Sequence, residues 1–455
     1  MEKFDAFYFE SYDFDYENLI AKFYYSFDSK ELFTEEIDFS NSNIKLRSDL
    51  NPSIVENFLF SIHIALWISY YKAFPTKKLY IKSWYLSKDQ IKFWKKFYKN
   101  WLWEFLYTNK ISPDWLFDFE NKLTEKNIDP SLLDFNQNEK SLIPLWWGKD
   151  SLVSIDMYEK SDFLYDLYVF WKTDPIKQNC ADILWKEILL TKRKISDNLI
   201  KLNNQWYYNW HVPITWIIAF VMLLEAYLYD YKYLVLSNEK SANVWNTIWN
   251  WFEINHQWSK SLDFEKDFNS YIRNNLSSNI CYFSLLRGFY EYNIAKYFTN
   301  NCSRFFWIFS SCNNNFKIDE DKRLKNTFWC NSCPKCAFSF VILRPFLNTK
   351  QVFDIFWEDL LFKKDLENTF LELLWIDWIK PFECVWELEE VVLSFYKIYN
   401  LYEEKPNILK IFKQKILDNF SEEYFKNLEK KLWTIYDEDI IPWVIKKTLI
   451  SDITK

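Results

Sequence analysis

Alternating apolar strands and helices across residues 141–300 predict an α/β fold built on a parallel sheet. Two further observations complete the architecture. Near the N-terminus Phe and Tyr alternate with acids, and the last third reads as helices beside a cysteine cluster. The chain is therefore expected to comprise an N-terminal α+β region over 1–140, an α/β domain over 141–300 and a mostly helical, cysteine-bearing region over 301–455.

Each element can be justified in order. Residues 4–48 hold strand-like pieces. From Pro52 to Phe74 the spacing is helical, and Ser87 and Asp89 mark the start of another helix. His63 lies on the apolar face of the first, as a core histidine would. Ser141 to Leu145 is an apolar strand that runs into Trp146-Trp147-Gly148-Lys149-Asp150-Ser151. Leu152, Ile155 and Met157 then recur with helical spacing, so the stretch reads strand, tight loop, helix. Backbone N–H groups and the helix dipole favour an anion over such a loop. Phe163 to Phe170 reads as a second strand, and Lys192–Asn198 as part of a third.

Val212 to Tyr229 is a long apolar helix feeding the strand Tyr231–Ser237, whose tip carries Asn238, Glu239, Lys240, Ser241, Ala242 and Asn243. Ligands in open α/β sheets bind at the carboxyl ends of strands, so this tip and the 146–151 loop are expected to face one crevice. A solvated charged turn is the other reading of 238–243. Glu253, Asn255, His256 and Lys260 then fall close together where a loop meets a helix. Of the 3 histidines, His211 and His256 flank the crevice, and either suits proton transfer near neutral pH or simple hydrogen bonding.

Cys312, Cys330, Cys333 and Cys336 form C-x17-C-x2-C-x2-C, a spacing that suits a tetrahedral structural zinc. An iron–sulfur cluster or inert buried thiols are the alternatives, with disulfides disfavoured in a reducing compartment. Cys180, Cys281, Cys302 and Cys384 stand apart, as core residues do. Residues 338–455 read as mostly helical, with a loop over 374–384.

Composition excludes several function classes. A net charge of −7 with no basic stripe argues against a general nucleic-acid binder. The N-terminus has neither a basic segment nor an apolar core of a signal peptide, and an uncharged apolar run of about 18 residues is not found; a cytoplasmic location is expected. The 455 residues carry only 2 Gly but 25 Trp, where about 30 Gly would be usual. Some bacteria read the codon UGA as glycine and others as tryptophan. Most of these tryptophans are accordingly expected to be glycine in the cell, including those of Asn209-Trp210-His211, Asn250-Trp251 and 374–379, where turns and caps want glycine.

With glycine at 146 and 147 the loop reads GGGKDS, which resembles the SGGxDS loop of the ATP-pyrophosphatase (PP-loop) superfamily. The chain also resembles the UDP-N-acetyl-α-D-muramoyl-L-alanyl-L-glutamate epimerase family in that superfamily. The resemblance lies in WWGKDSLVSI (146–155), YYNWHVPIT (207–215), SNEKSAN (237–243), EINHQWSKSLDFE (253–265), CYFSLLRGFYEYNIAK (281–296) and WCNSCPKCAFSFVILRPF (329–346). Trp146 and Trp147 depart from the pattern, and as indoles they would block the phosphate site.

The resemblance implies a PP-loop (HUP-type) nucleotide-binding domain and a four-cysteine zinc site in the C-terminal region. It implies ATP bound by Trp146, Trp147, Gly148, Lys149, Asp150, Ser151, Asn238 and Glu239, with Mg²⁺ at Asp150. The implied reaction is adenylylation of the terminal L-glutamate of UDP-MurNAc-L-Ala-L-Glu and its epimerisation to D-glutamate, in peptidoglycan precursor synthesis. His256 and His211 would be the acid/base pair, with Glu253, Lys149 and Lys335 as further catalytic candidates. Enzymes of the 7-cyano-7-deazaguanine synthase or tRNA-modifying type join a PP-loop to a cysteine cluster too, and a non-catalytic nucleotide-binding protein is a third reading. The expected partner is the UDP-linked dipeptide, with neither nucleic acid nor membrane.

Overall fold

In the N-terminal meander, apolar side chains alternate with polar ones along β1 (Ala6–Asp15), β2 (Ile20–Phe27) and β3 (Glu31–Asp38), which pair antiparallel. The computed structural model describes residues 4–41, 43–112, 117–120, 129–146, 148–205, 207–208, 212–245, 247–249, 252–315, 323–324, 327–376 and 387–450. Trp147, His211, Trp210, Trp251, Cys384 and most of the 374–384 loop lie outside them.

Among the described residues the meander lies inside a ten-stranded, mostly parallel sheet. β4 (Lys78–Ile81) and β5 (Asp118–Glu120) extend it in parallel beyond β1. On the other side, β3 pairs antiparallel with β8 (Ile188–Lys194). There the sheet continues through β7 (Leu164–Trp171), β6 (Asn138–Pro144), β9 (Tyr231–Leu236) and β12 (Cys281–Ser284), all parallel. The third strand of the parallel half thus begins ahead of the expected 192–198 and shares only 192–194 with it. Its residues are ILLTKRK, and the polar half conceals it, because Arg193 is buried in an ion pair with Glu35 across the β3–β8 seam at 2.6 Å.

Both faces of the parallel half are covered, as parallel sheets require. Leu142, Tyr168, Leu234 and Leu236 point into one core, beside Pro52–Leu66, Lys88–Asn109, Ile214–Leu228 and Leu262–Asn275. Ile143, Leu167, Val169, Tyr233 and Val235 point into the other, beside Lys149–Glu159, Pro175–Leu184, Glu291–Asn301 and the C-terminal helices. The helix at Pro52 is capped by Asn51, and that at Lys88 by a capping box of Ser87 and Gln90. Helical run Pro52–Tyr71 is long and apolar enough to cross a membrane, which the sequence reading did not anticipate; 83% of its apolar window is buried inside the fold.

His63 is fully buried, with Nε2 3.3 Å from the Tyr24 carbonyl, and burial pulls its pKa down to about 3. It is a core residue, as expected. Below the unfolded value of 6.5 the unfolded chain takes up a proton that the folded imidazole refuses, so acid favours unfolding. Between pH 6.5 and 5 this is expected to remove about 2 kcal/mol of stability. Denaturant midpoints of His63→Phe should fall less over that range than those of the parent; an equal fall would refute the assignment.

Candidate active site

Strand order reverses at β6, since β7 and β8 follow on one side and β9 and β12 lie on the other. The crevice of a doubly wound sheet opens at this switch point, outside the carboxyl ends of the strands. Three segments meet there: the loop after β6, the turn after β9 and the stretch after β12. Gly148, extended at φ −85°, caps the helix Lys149–Glu159, with Asp150 in its first turn. Ser151 Oγ donates to the carbonyls of Trp146 (3.0 Å) and Gly148 (3.2 Å), closing the loop on itself. Trp146 packs half-buried against the first core.

Lys149 is buried and its Nζ bonds Asp150 (2.7 Å) and Glu291, the first residue of its helix. Oxygens of Asp150, Glu239 and Glu291 lie within 4.8 Å of one another. The 238–243 turn and the 146–151 loop therefore face one crevice, as expected. Most of the turn is not solvated, because Asn238, Glu239, Ser241 and Ala242 are buried, while Lys240 is half-buried and Asn243 is exposed. Arg287, 1% exposed, holds it by donating to the Glu239 carbonyl (2.8 Å), the Lys260 carbonyl and Glu265, the last two at 2.5 Å. Asn238 Nδ2 donates to Ser284 Oγ at 2.9 Å.

Electrostatics follow from this crowding. Burial raises the Glu291 carboxyl to about 8; Lys149 opposes the rise, while Asp150 and Glu239 add to it. Burial also acts against the Lys149 ammonium, but Asp150 and Glu291 outweigh it and keep it charged. Among the described residues Lys149 faces three carboxyl groups, so negative charge stays in excess even while Glu291 holds its proton; a divalent cation would balance it and favour the ionised Glu291, and hard carboxylate oxygens suit one.

His256 sits beyond the two-stranded hairpin of β10 (Thr247–Trp249) and β11 (Phe252–Ile254), on a loop tied to the Glu239 turn. Asn255 Nδ2 donates to the Ala242 carbonyl (3.0 Å), and Leu262 N donates to Asn243 Oδ1 (2.8 Å). His256 Nδ1 contacts Glu104 at 2.8 Å. Glu253 is exposed on β11, apart from the carboxylate cluster. Lys335 stands between Cys333 and Cys336, in the first turn of the helix Pro334–Leu343.

The Sγ atoms of Cys312, Cys330, Cys333 and Cys336 lie within 4.8 Å of one another and could hold a metal ion. Neighbouring pairs are 3.5–3.9 Å apart. Asn331 turns the chain between two of them at φ 50°. Cys180 and Cys302 are buried in the second core, as expected of lone thiols, and Cys281 is half-buried. The cluster abuts the loop, since a Cβ at Gly148 would lie 3.2 Å from the Oγ of Ser311, next to Cys312.

Glu291, Arg287 and Glu104 escaped the sequence reading. The first two lie within the CYFSLLRGFYEYNIAK stretch, and an acid beginning a helix after a strand was the signal available for Glu291.

Such a sheet, covered by helices on both faces, with charged side chains gathered at its switch point and a cysteine cluster behind the loop, defines an α/β protein of doubly wound type. The MurL N-terminal domain model matches residues 1–285 and the MurL C-terminal domain model matches 308–427. A UDP-N-acetyl-α-D-muramoyl-L-alanyl-L-glutamate epimerase of Xanthomonas oryzae pv. oryzae (strain MAFF 311018) is 30% identical over 82% of this chain and 80% of its own. Enzymes of the same name from Micromonospora sp. (strain ATCC 39149) and Salinispora tropica are 30% and 29% identical, each over 87% of this chain and over 87% and 85% of their own. The chain belongs to the MurL family.

Proposed function

We propose that this protein epimerises the terminal L-glutamate of UDP-MurNAc-L-Ala-L-Glu to D-glutamate for peptidoglycan precursor synthesis, with ATP consumed to activate the substrate. The observation that carries the reading is the meeting of Lys149, Asp150, Glu239 and Glu291 at the switch point of a chain whose relatives bear that name over most of their length. Removing the α-proton of a free carboxylate would add charge beside charge. Attack of the glutamate carboxylate on the α-phosphorus of ATP, with pyrophosphate leaving, removes this obstacle. Lys149 and the N–H groups opening its helix would hold the phosphates. Asp150, Glu239 and Glu291 would hold Mg²⁺, which when bound neutralises phosphate charge. His256, on the adjoining loop, would move the α-proton, with His211 as the second group; hydrolysis would then release the D-epimer and AMP.

The four cysteines would hold structural zinc. Tetrahedral thiolates about 2.3 Å from zinc stand about 3.8 Å apart, and the sulfur separations of 3.5–3.9 Å fit this. Clamped there, the chain around Ser311 would buttress Gly148.

The expected result is exchange of the substrate's α-hydrogen with solvent deuterium only when ATP, Mg²⁺ and the L-Glu dipeptide are all present, with AMP and pyrophosphate released. Exchange without ATP would instead mean direct two-base racemisation.

A further inference from the structure

Glu104 extends the reading of His256, on which this inference rests. It belongs to Lys88–Asn109, in the N-terminal region, 152 residues from His256 in sequence. It is 5% exposed, and its two oxygens lie 2.9 and 2.8 Å from His256 Nδ1. The helix is anchored against the histidine's surroundings, with Trp103 edge-on to Trp249 at 5.5 Å and Lys96 paired with Asp263 (3.1 Å) and Asp267 (2.6 Å). A carboxylate at Nδ1 keeps the proton on that nitrogen and leaves Nε2 as the basic one.

We propose that Glu104 is the positioning residue for proton transfer. It selects the tautomer of His256 and orients the ring, so that Nε2 takes the α-proton while the C–H electron pair delocalises into the activated carbonyl. Glu104 then stabilises the imidazolium until the proton leaves. The N-terminal region thereby completes the site.

Glu104→Leu keeps the side chain's bulk but removes the acceptor, and Glu104→Asp keeps the acceptor. In the leucine variant kcat for α-hydrogen exchange should fall about 100-fold or more with KM for the dipeptide unchanged, and nitrogen NMR should move the His256 proton from Nδ1 to Nε2. The aspartate variant should recover part of the rate and the original tautomer. Wild-type kcat in Glu104→Leu, or an equal loss in both variants with no tautomer change, overturns the proposal. Full exchange in His256→Asn would sink the underlying reading of His256 instead.

A separate set of observations carries a second inference. Trp171, Trp185, Trp357 and Trp375 have positive φ (83°, 54°, 61° and 54°), a conformation that glycine adopts freely and side chains rarely do. Three of them end helices. Trp185 donates to Asp182 O while Lys186 donates to Ala181 O, and Trp375 donates to Glu372 O while Ile376 donates to Leu371 O; both are the paired bonds of a glycine-terminated helix. Trp357 donates to Phe353 O. Trp185 is 94% exposed, so no packing accounts for an indole there.

We infer that the native chain carries glycine at these four positions, from UGA codons. Mass analysis of peptides from protein made in its own cells should find glycine at 171, 185, 357 and 375; tryptophan there overturns the inference.

Discussion

Asp150→Asn is expected to cut AMP formation by roughly 10²–10³-fold, the scale of losing one charge-stabilising group at a phosphoryl site. Asp150 lies in the first turn of the helix at the crevice, pairs with Lys149 at 2.7 Å and shares a 4.8 Å cluster with Glu239 and Glu291. Its side chain is 31% exposed and belongs to neither core, so the amide should leave the unfolding midpoint nearly unchanged. Lys149 keeps Glu291 as its partner, which guards against an uncompensated buried ammonium. Single-turnover assays with saturating Mg²⁺ and ATP, followed for AMP, measure the effect. Turnover equal to the parent's would reduce 146–151 to a turn. A collapsed midpoint would instead make the cluster a folding device.

Local features were legible in the sequence because local chemistry sets them. The run from Ser141 into Gly148 and Lys149 reads as strand, loop and helix from periodicity alone, and Ser87 announces its cap just ahead of the helix it starts. What depends on strand order was not legible. Glu291 meets Lys149 across 142 residues because β12, β9 and β6 lie side by side. Glu104 meets His256 because a helix of the N-terminal region lies over the hairpin. β8 was misjudged for a related reason. Arg193 in a strand suggests solvent, yet its partner Glu35 comes from the meander, and only the β3–β8 pairing puts both indoors.

The second large effect concerns the cysteines. Cys333→Ser is expected to lose about one equivalent of zinc and to fold poorly, because structural zinc supplies folding free energy that the apo chain cannot replace. Cys333 is the natural position to test, since its sulfur stands 3.9 Å from Cys312 and 3.5 Å from Cys336 and so ties the distant cysteine to the pair on the helix turn. Around it Trp329 packs on Phe309 and Phe356, and Asn331 donates to the Phe356 carbonyl, so slackening the metal loop opens the second core as well. Activity should fall with it even in the fraction that folds, because Ser311, which stands close beside Gly148, would shift and the loop carrying Lys149 would lose its backing. Elemental analysis of purified protein, with unfolding midpoints before and after chelation, separates the two consequences. Chelated protein that is zinc-free, stable and fully active would show four thiols packed for their own sake. Loss of activity with an unchanged midpoint would instead put a metal in the reaction rather than in the fold.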